Sequence, residues 1–99
     1  MANFSEIIGG DKPTLVDFSA EWCGPCKAMS PILTEVKNNV GESATILKID
    51  VDKNPYLATE YQVQAVPTLI LFKNGKAVWR QSCVVLANKL QEVIKQHTV

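Results

Sequence analysis

A chain of 99 residues, 46% hydrophobic and 20% charged, is the size of one domain with a single core, expected to run over 1–99. Ten lysines and arginines balance ten acidic residues, and zero net charge without a basic cluster argues against a protein that lives on nucleic acid or an anionic membrane. No apolar run approaches the ~20 residues that span a bilayer, and Met1-Ala2-Asn3-Phe4-Ser5-Glu6 lacks a basic segment followed by an apolar one, so an unprocessed, cytoplasmic chain is expected.

In chain order, Asn3 to Ile8 predicts a short helix, capped by Asn3 and stopped at Gly9-Gly10. Thr14 to Ser19, a β-rich run after Pro13, predicts a strand that Gly24-Pro25 interrupts. Met29, Leu33, Val36 and Val40 recur at the spacing of one helix face. Pro31 should kink that helix, and Gly41 should end it. Ala44 to Val51 predicts a second buried strand, and Asn54-Pro55 a cap and first helical residue for a short helix through Tyr61. Thr68 to Phe72 predicts a third strand. Asn74-Gly75 is a hairpin signal, so Ala77 to Gln81 should return antiparallel. Leu86, Leu90, Val93 and Ile94 predict the inner stripe of a last helix, with residues 96–99 fraying. This order implies an α/β fold whose mixed sheet is covered by helices on both faces.

Cys23-Gly24-Pro25-Cys26 carries the chemistry. At a helix start, two intervening residues bring the sulfurs close enough to bond. The free N–H groups and the dipole there favour a Cys23 thiolate. Cys26, one turn deeper and shielded, can attack the sulfur of Cys23. That is thiol–disulfide exchange through a mixed disulfide. A lone C-x-x-C also fits half a zinc site, but zinc wants a second pair, and only Cys83 and His97 remain, unpaired. Two inert buried cysteines are a weaker reading still. Strand, C-x-x-C, then helix is the context that marks a redox pair.

Trp22-Cys23-Gly24-Pro25-Cys26-Lys27, preceded by Val16-Asp17-Phe18, resembles the active-site segment of the thioredoxin family. The resemblance continues through Lys48-Ile49-Asp50-Val51-Asp52, Val66-Pro67-Thr68 and Phe72-Lys73-Asn74-Gly75, covering nearly the whole chain from about Phe4 on. It implies the thioredoxin fold and a general protein disulfide reductase. Cys23 would be the nucleophile and Cys26 the resolving thiol. Asp17 would be the buried carboxylate behind Cys26, its pKa raised so that it suits a proton acceptor; a merely satisfied buried acid is the other reading. Lys48 would tune Asp17, unless it is a strand lysine reaching for solvent. Pro67 would be a cis-proline facing the cysteines, and the backbone around Val66 would pair with an extended partner segment. Trp22 would wall the approach to Cys23, and Trp79 would pack in the ordinary way. Gly24-Pro25 is the pair of reducing members, whereas a His at the second place goes with oxidising relatives. The implied partners are a thioredoxin reductase, which supplies electrons from NADPH, and client proteins with disulfides. No bound cofactor or metal is implied, and the chain is expected to be a monomer.

Three places depart from the family pattern. An extra first strand is usual, and only three residues precede Phe4, so about four strands are expected and the strand around 45–51 should lack a neighbour, which another chain would be free to cover. Ser19 stands where Trp is common. Cys83 stands where Gly is typical, in a loop flanking the docking groove. It therefore joins Trp22, Gly24, Pro25, Val66 and Pro67 among the client-contacting positions. Its thiol either crowds or pairs with other groups or is a small, half-buried hydrophobe, the reading preferred here. Leu86 stands where a hydroxyl often caps the last helix. The reductase reading competes with a disulfide oxidase or isomerase, and with a redox-independent binding subunit on the same fold.

Overall fold

The computed structural model describes residues 3–98. The elements run α1 (Phe4–Ile8), β1 (Thr14–Ser19), α2 (Gly24–Val40), a 3₁₀ turn (Gly41–Ser43), β2 (Thr45–Asp50), α3 (Pro55–Glu60), β3 (Thr68–Lys73), β4 (Lys76–Ser82) and α4 (Ala87–Gln96). They form a four-stranded mixed sheet in the order β2-β1-β3-β4. β1 pairs parallel with β2 and antiparallel with β3, and β3 pairs antiparallel with β4.

Local chemistry explains the boundaries. Asn3 caps α1 by accepting the N–H of Glu6 at 2.9 Å. α2 continues through Pro31 and ends where Gly41 adopts φ +55°. Asn74 and Gly75 both take positive φ, the requirement of the tight turn between β3 and β4. β1 and β3 are buried along both faces, except that Lys73 is half-buried. Their odd and even residues therefore enter two cores. Leu15, Leu69 and Leu71 join Met29, Leu33 and Val36 of α2 and Leu90, Val93 and Ile94 of α4. Val16, Phe18, Ile70 and Phe72 join Ile8 and, at the margin, Phe4, Leu57 and Tyr61.

Three expectations are corrected. The strand at 45–50 is a half-buried edge strand with Lys48 exposed, because β1 covers one side of it and no described strand covers the other. Asn54 occupies the cap position of α3, but its side-chain amide donates to the carbonyl oxygen of Asp50 instead of capping the helix. Leu86 is not part of the inner stripe. It is 64% exposed in extended backbone at the N-cap of α4, and Ala87 takes the inner place. Its side chain makes no capping hydrogen bond. Leu86→Ser is therefore expected to stabilise the protein by about 0.5–1 kcal/mol, read from the urea midpoint at unchanged slope. Of the fraying end, Gln96 closes α4, His97 and Thr98 bond back to the last turn, and Val99 lies outside the described residues.

Candidate active site

The end of β1 and the start of α2 bring the two active cysteines together. They are joined by a disulfide with Cα atoms 5.3 Å apart. Cys23 is the N-cap of α2, in extended backbone, and its Sγ accepts the N–H of Cys26 at 3.1 Å. Cys23 and Cys26 are 4% and 2% exposed, so accessibility alone does not separate the attacking sulfur from the resolving one. Position does. Cys23 lies ahead of the helix, with the Val66 carbonyl oxygen 3.6 Å from its Sγ, whereas Cys26 lies in the first turn. An N–H that has no partner inside the helix and donates to the sulfur, at the positive end of a 17-residue helix, stabilises the thiolate that appears when the disulfide opens.

Gly24 and Pro25 are exposed at the first helical positions. Proline fits there because its missing N–H has no partner inside the helix. The Val66–Pro67 bond is cis, and Val66 packs against the small cluster of Ala20, Cys23 and Cys26. Trp22 is 72% exposed, and its Nε1 donates to Asp52 Oδ2 at 2.9 Å. Asp52 was not anticipated from the sequence. The Asp50-Val51-Asp52 run after a strand was the available signal, since Asp50 Oδ1 accepts the N–H groups of Asp52 and Lys53 and folds that corner. Trp79, half-buried against the α2–α4 core, packs in the ordinary way.

Asp17 is 1% exposed, and neither carboxylate oxygen has a hydrogen-bond partner. It stands in register with Lys48 on the neighbouring parallel strand. Burial raises its pKa from 3.8 to about 6, and the Lys48 charge opposes part of that rise. Lys48 therefore sits beside Asp17 and is also exposed, so the two readings of this lysine are compatible.

Cys83 is exposed rather than half-buried. The chain turns there with φ +99°, and the Cys83 N–H donates to the Pro67 carbonyl oxygen at 2.9 Å, tying this loop to the cis-proline. That turn directs the side chain outward, beside residues 66 and 67. A β-carbon at such a φ is strained. Cys83→Gly is expected to stabilise the protein by about 1 kcal/mol, a rise of roughly 4–8 °C in Tm. Calorimetry of the oxidised protein measures it.

The thioredoxin family model matches residues 1–96. The chain belongs to the thioredoxin family. A thioredoxin-like protein of Synechocystis is 50% identical over 90 residues, which are 90% of this chain and 86% of that protein. A bifunctional thioredoxin reductase/thioredoxin of Mycobacterium leprae is 47% identical over 77 residues, 78% of this chain and 17% of that protein. The crystal structure of Malassezia sympodialis thioredoxin superposes with a TM-score of 0.87 at 36% identity, covering 97% of this chain and 84% of that one. With the family shown and the Cys-Gly-Pro-Cys pair disulfide-bonded at the head of α2, the protein is a thiol–disulfide oxidoreductase of the reductase type. Among the described residues, no three His, Cys, Asp or Glu converge on a possible metal position, and no helix is long and apolar enough to cross a membrane.

Proposed function

We propose that Cys23 is the attacking thiolate and Cys26 the resolving thiol in a protein disulfide reductase. The observation that carries this assignment is the N-cap position of Cys23, where its sulfur accepts the Cys26 N–H. In the first step, Cys23 Sγ⁻ attacks one sulfur of a client disulfide. The Cys23–client bond forms, the client S–S bond breaks, and the departing sulfur leaves as a thiolate that takes a proton. In the second step, the Cys26 thiol gives its proton to Asp17 and attacks Cys23 Sγ. The Cys23–Cys26 bond forms, and the second client sulfur leaves. Two electrons have passed from the dithiol to the client.

Asp17 suits the acceptor role because burial lifts its pKa to about 6, close enough to neutrality to take and return a proton. Lys48 holds that value below what burial alone would impose. An extended client segment pairs with the backbone at Val66 next to cis-Pro67, with exposed Trp22 on one side and exposed Cys83 on the other; Gly24 and Pro25 leave the approach to Cys23 free of side-chain bulk.

The protein works as a single domain over 1–99, a cytoplasmic monomer without a bound cofactor, re-reduced by NADPH through a thioredoxin reductase. The reductase-fused relative from Mycobacterium leprae supports that electron source. The test is the reduction potential of the Cys23–Cys26 couple, measured in thiol–disulfide buffers with Cys83 changed to Ser. A value below about −240 mV, against the glutathione poise, supports a donor of electrons. A value near about −150 mV moves the protein to the oxidase or isomerase class.

A further inference from the structure

The two outer strands of the sheet differ in how they meet solvent. β4 is blunted. Its register against β3 shifts between Leu71 and Phe72, leaving Val78 as an extra residue, and the Arg80 guanidinium turns back to the Tyr61 and Gln62 carbonyl oxygens. A bulge and turned-in charge are devices by which an edge refuses a further strand.

β2 runs in unbroken register with β1 from Thr45 to Asp50, and no described strand covers its other side. The Thr45 and Val51 N–H groups donate to the Pro13 and Ser19 carbonyl oxygens. Bonding residues alternate along a parallel ladder, so Leu47 and Ile49 also face β1, while Ile46, Lys48 and Asp50 aim their backbone groups at the open side. The Asp50 carbonyl already accepts from Asn54. The N–H groups of all three and the carbonyls of Ile46 and Lys48 are left for a further strand.

Side chains along this edge select the strand. Lys48 is the exposed one. Its side of β2 borders two hollows. One, of about 520 Å³ beside Cys26, has Glu21, Lys27, Lys48 and Asp50 among its lining residues and carries both signs of charge. The other, of about 360 Å³, has an apolar floor of Leu33 and Ile46, and its charged lining residues are Lys37 and Lys48, with no acid among the described ones. On the opposite face, Leu47 and Ile49 are half-buried against the core of Val16, Phe18, Ile70 and Phe72. A second copy of β2 fits poorly: in antiparallel registers that use the free carbonyls, Lys48 falls opposite or diagonal to its own copy.

The geometry points to the open edge of β2 as a docking site for an extended, acidic segment of a partner protein, added to the sheet as a fifth strand. Its carboxylate lies opposite Lys48, and its flanking apolar side chains cover Leu47 and Ile49. Main-chain bonds supply the affinity and the alternate side chains the specificity. The basic hollow shares no residue with the groove beside Trp22, which is lined by Val51, Val63, Gln64, Ala65 and Val66. A partner is therefore held while the client groove stays free.

The probe is a blocked peptide, Gly-Ser-Leu-Val-Glu-Val-Thr-Ser-Gly, whose central Glu meets Lys48 in either strand direction. It is titrated into isotope-labelled oxidised protein and followed by amide NMR shifts, up to about 1 mM as suits a small interface. Saturable shifts are expected at Ile46, Lys48 and Asp50 and along the Ser30–Lys37 flank of α2. The same peptide with Lys for Glu is expected to bind about tenfold more weakly or worse. Lys48→Glu is expected to reverse that preference, and binding of the Lys peptide shows at once that the variant is folded. The parent protein's choice between the two peptides decides the matter without any variant. Equal binding of both peptides, or no saturable shift, overturns the proposal. Shifts at Trp22 and Val63 to Val66 instead place the peptide in the client groove and overturn it too. Shifts along β2 on concentrating the protein alone assign the edge to a second copy and remove the acidic partner.

Discussion

A Cys26→Ser variant is expected to stop halfway, covalently attached to its client, while a Cys23→Ser variant forms no covalent complex at all. The asymmetry follows from where the two sulfurs sit. Cys23 is held at the N-cap of α2, with a backbone N–H on its sulfur and the Val66 carbonyl beside it, and this is the basis for proposing it as the thiol that a docked disulfide meets first. Cys26 is held one residue pair away on the same helix turn, aimed at Cys23. Once the client is attached to Cys23, the Cys26 thiol is an internal reagent. Well-oriented intramolecular groups act at effective concentrations of roughly 10⁵ M or more, far above any thiol in solution. Removing it leaves resolution to millimolar external thiol, and turnover should fall at least about a thousandfold. Non-reducing electrophoresis with insulin as client should show a stable adduct for Cys26→Ser. For Cys23→Ser, insulin reduction should drop to background. Full activity in Cys23→Ser would mean that the redox pair is incidental to what the protein does, as in a binding subunit.

The second large effect concerns stability and pH. Asp17 titrates at about 6 in the folded protein, and an unfolded aspartate titrates at 3.8. The raised value means that the folded state holds the proton more tightly. The stability associated with this group is therefore fully present below about pH 3.8 and is lost as the pH rises through 6. Each pH unit between those values is worth about 1.4 kcal/mol, so the loss approaches 3 kcal/mol above pH 7. The cause is burial of a charge with no hydrogen-bond partner on either oxygen, which Lys48 offsets only in part. Asp17→Asn puts a neutral group in the same place. The oxidised variant is expected to be about 2–3 kcal/mol more stable than the parent at pH 8, with the difference shrinking towards zero at pH 3.5. Urea melts across that range measure it. A gain that does not depend on pH would mean that packing, not ionisation, is responsible. If Asp17 is also the proton acceptor, the same variant resolves its mixed disulfide slowly. Greater stability with slower turnover is the expected pairing for a strained functional group.

How much of this was legible from the residues differs from element to element. Local rules place the elements to within a residue or two. Asn3 with Gly9, Pro13 before β1, Gly41 after α2 and Asn74-Gly75 between β3 and β4 are backbone instructions that depend on their immediate neighbours alone. The redox pair is equally local. A strand, two cysteines spaced by two residues and a helix start define the sulfur chemistry whatever surrounds them. The Gly-Pro spacer, the family and the reductase class follow from the same stretch read together with the separated segments at 48–52, 66–68 and 72–75. Leu86 shows where local reading fails. Its apolar side chain continued the periodic stripe, but the helix starts one residue later, because helix ends depend on how the preceding loop leaves β4.

The environment of each side chain needed the packed fold. Lys48 falls next to Asp17 because β2 runs parallel to β1 in one particular register, and a shift of one residue would have sent it to the other face. Cys83 is exposed because a positive-φ turn, tied to the Pro67 carbonyl, swings it outward. The cleft beside Cys26 exists because residues 19, 26, 30 and 48 come from three elements that meet only in the folded sheet. By itself, then, the sequence determined the elements, the reactive sulfurs and the family, since these depend on spacing along the chain. The raised pKa of Asp17, the exposure of Cys83 and the cleft beside Cys26 were decided by tertiary structure, since burial and electrostatics are properties of what lies nearby in space.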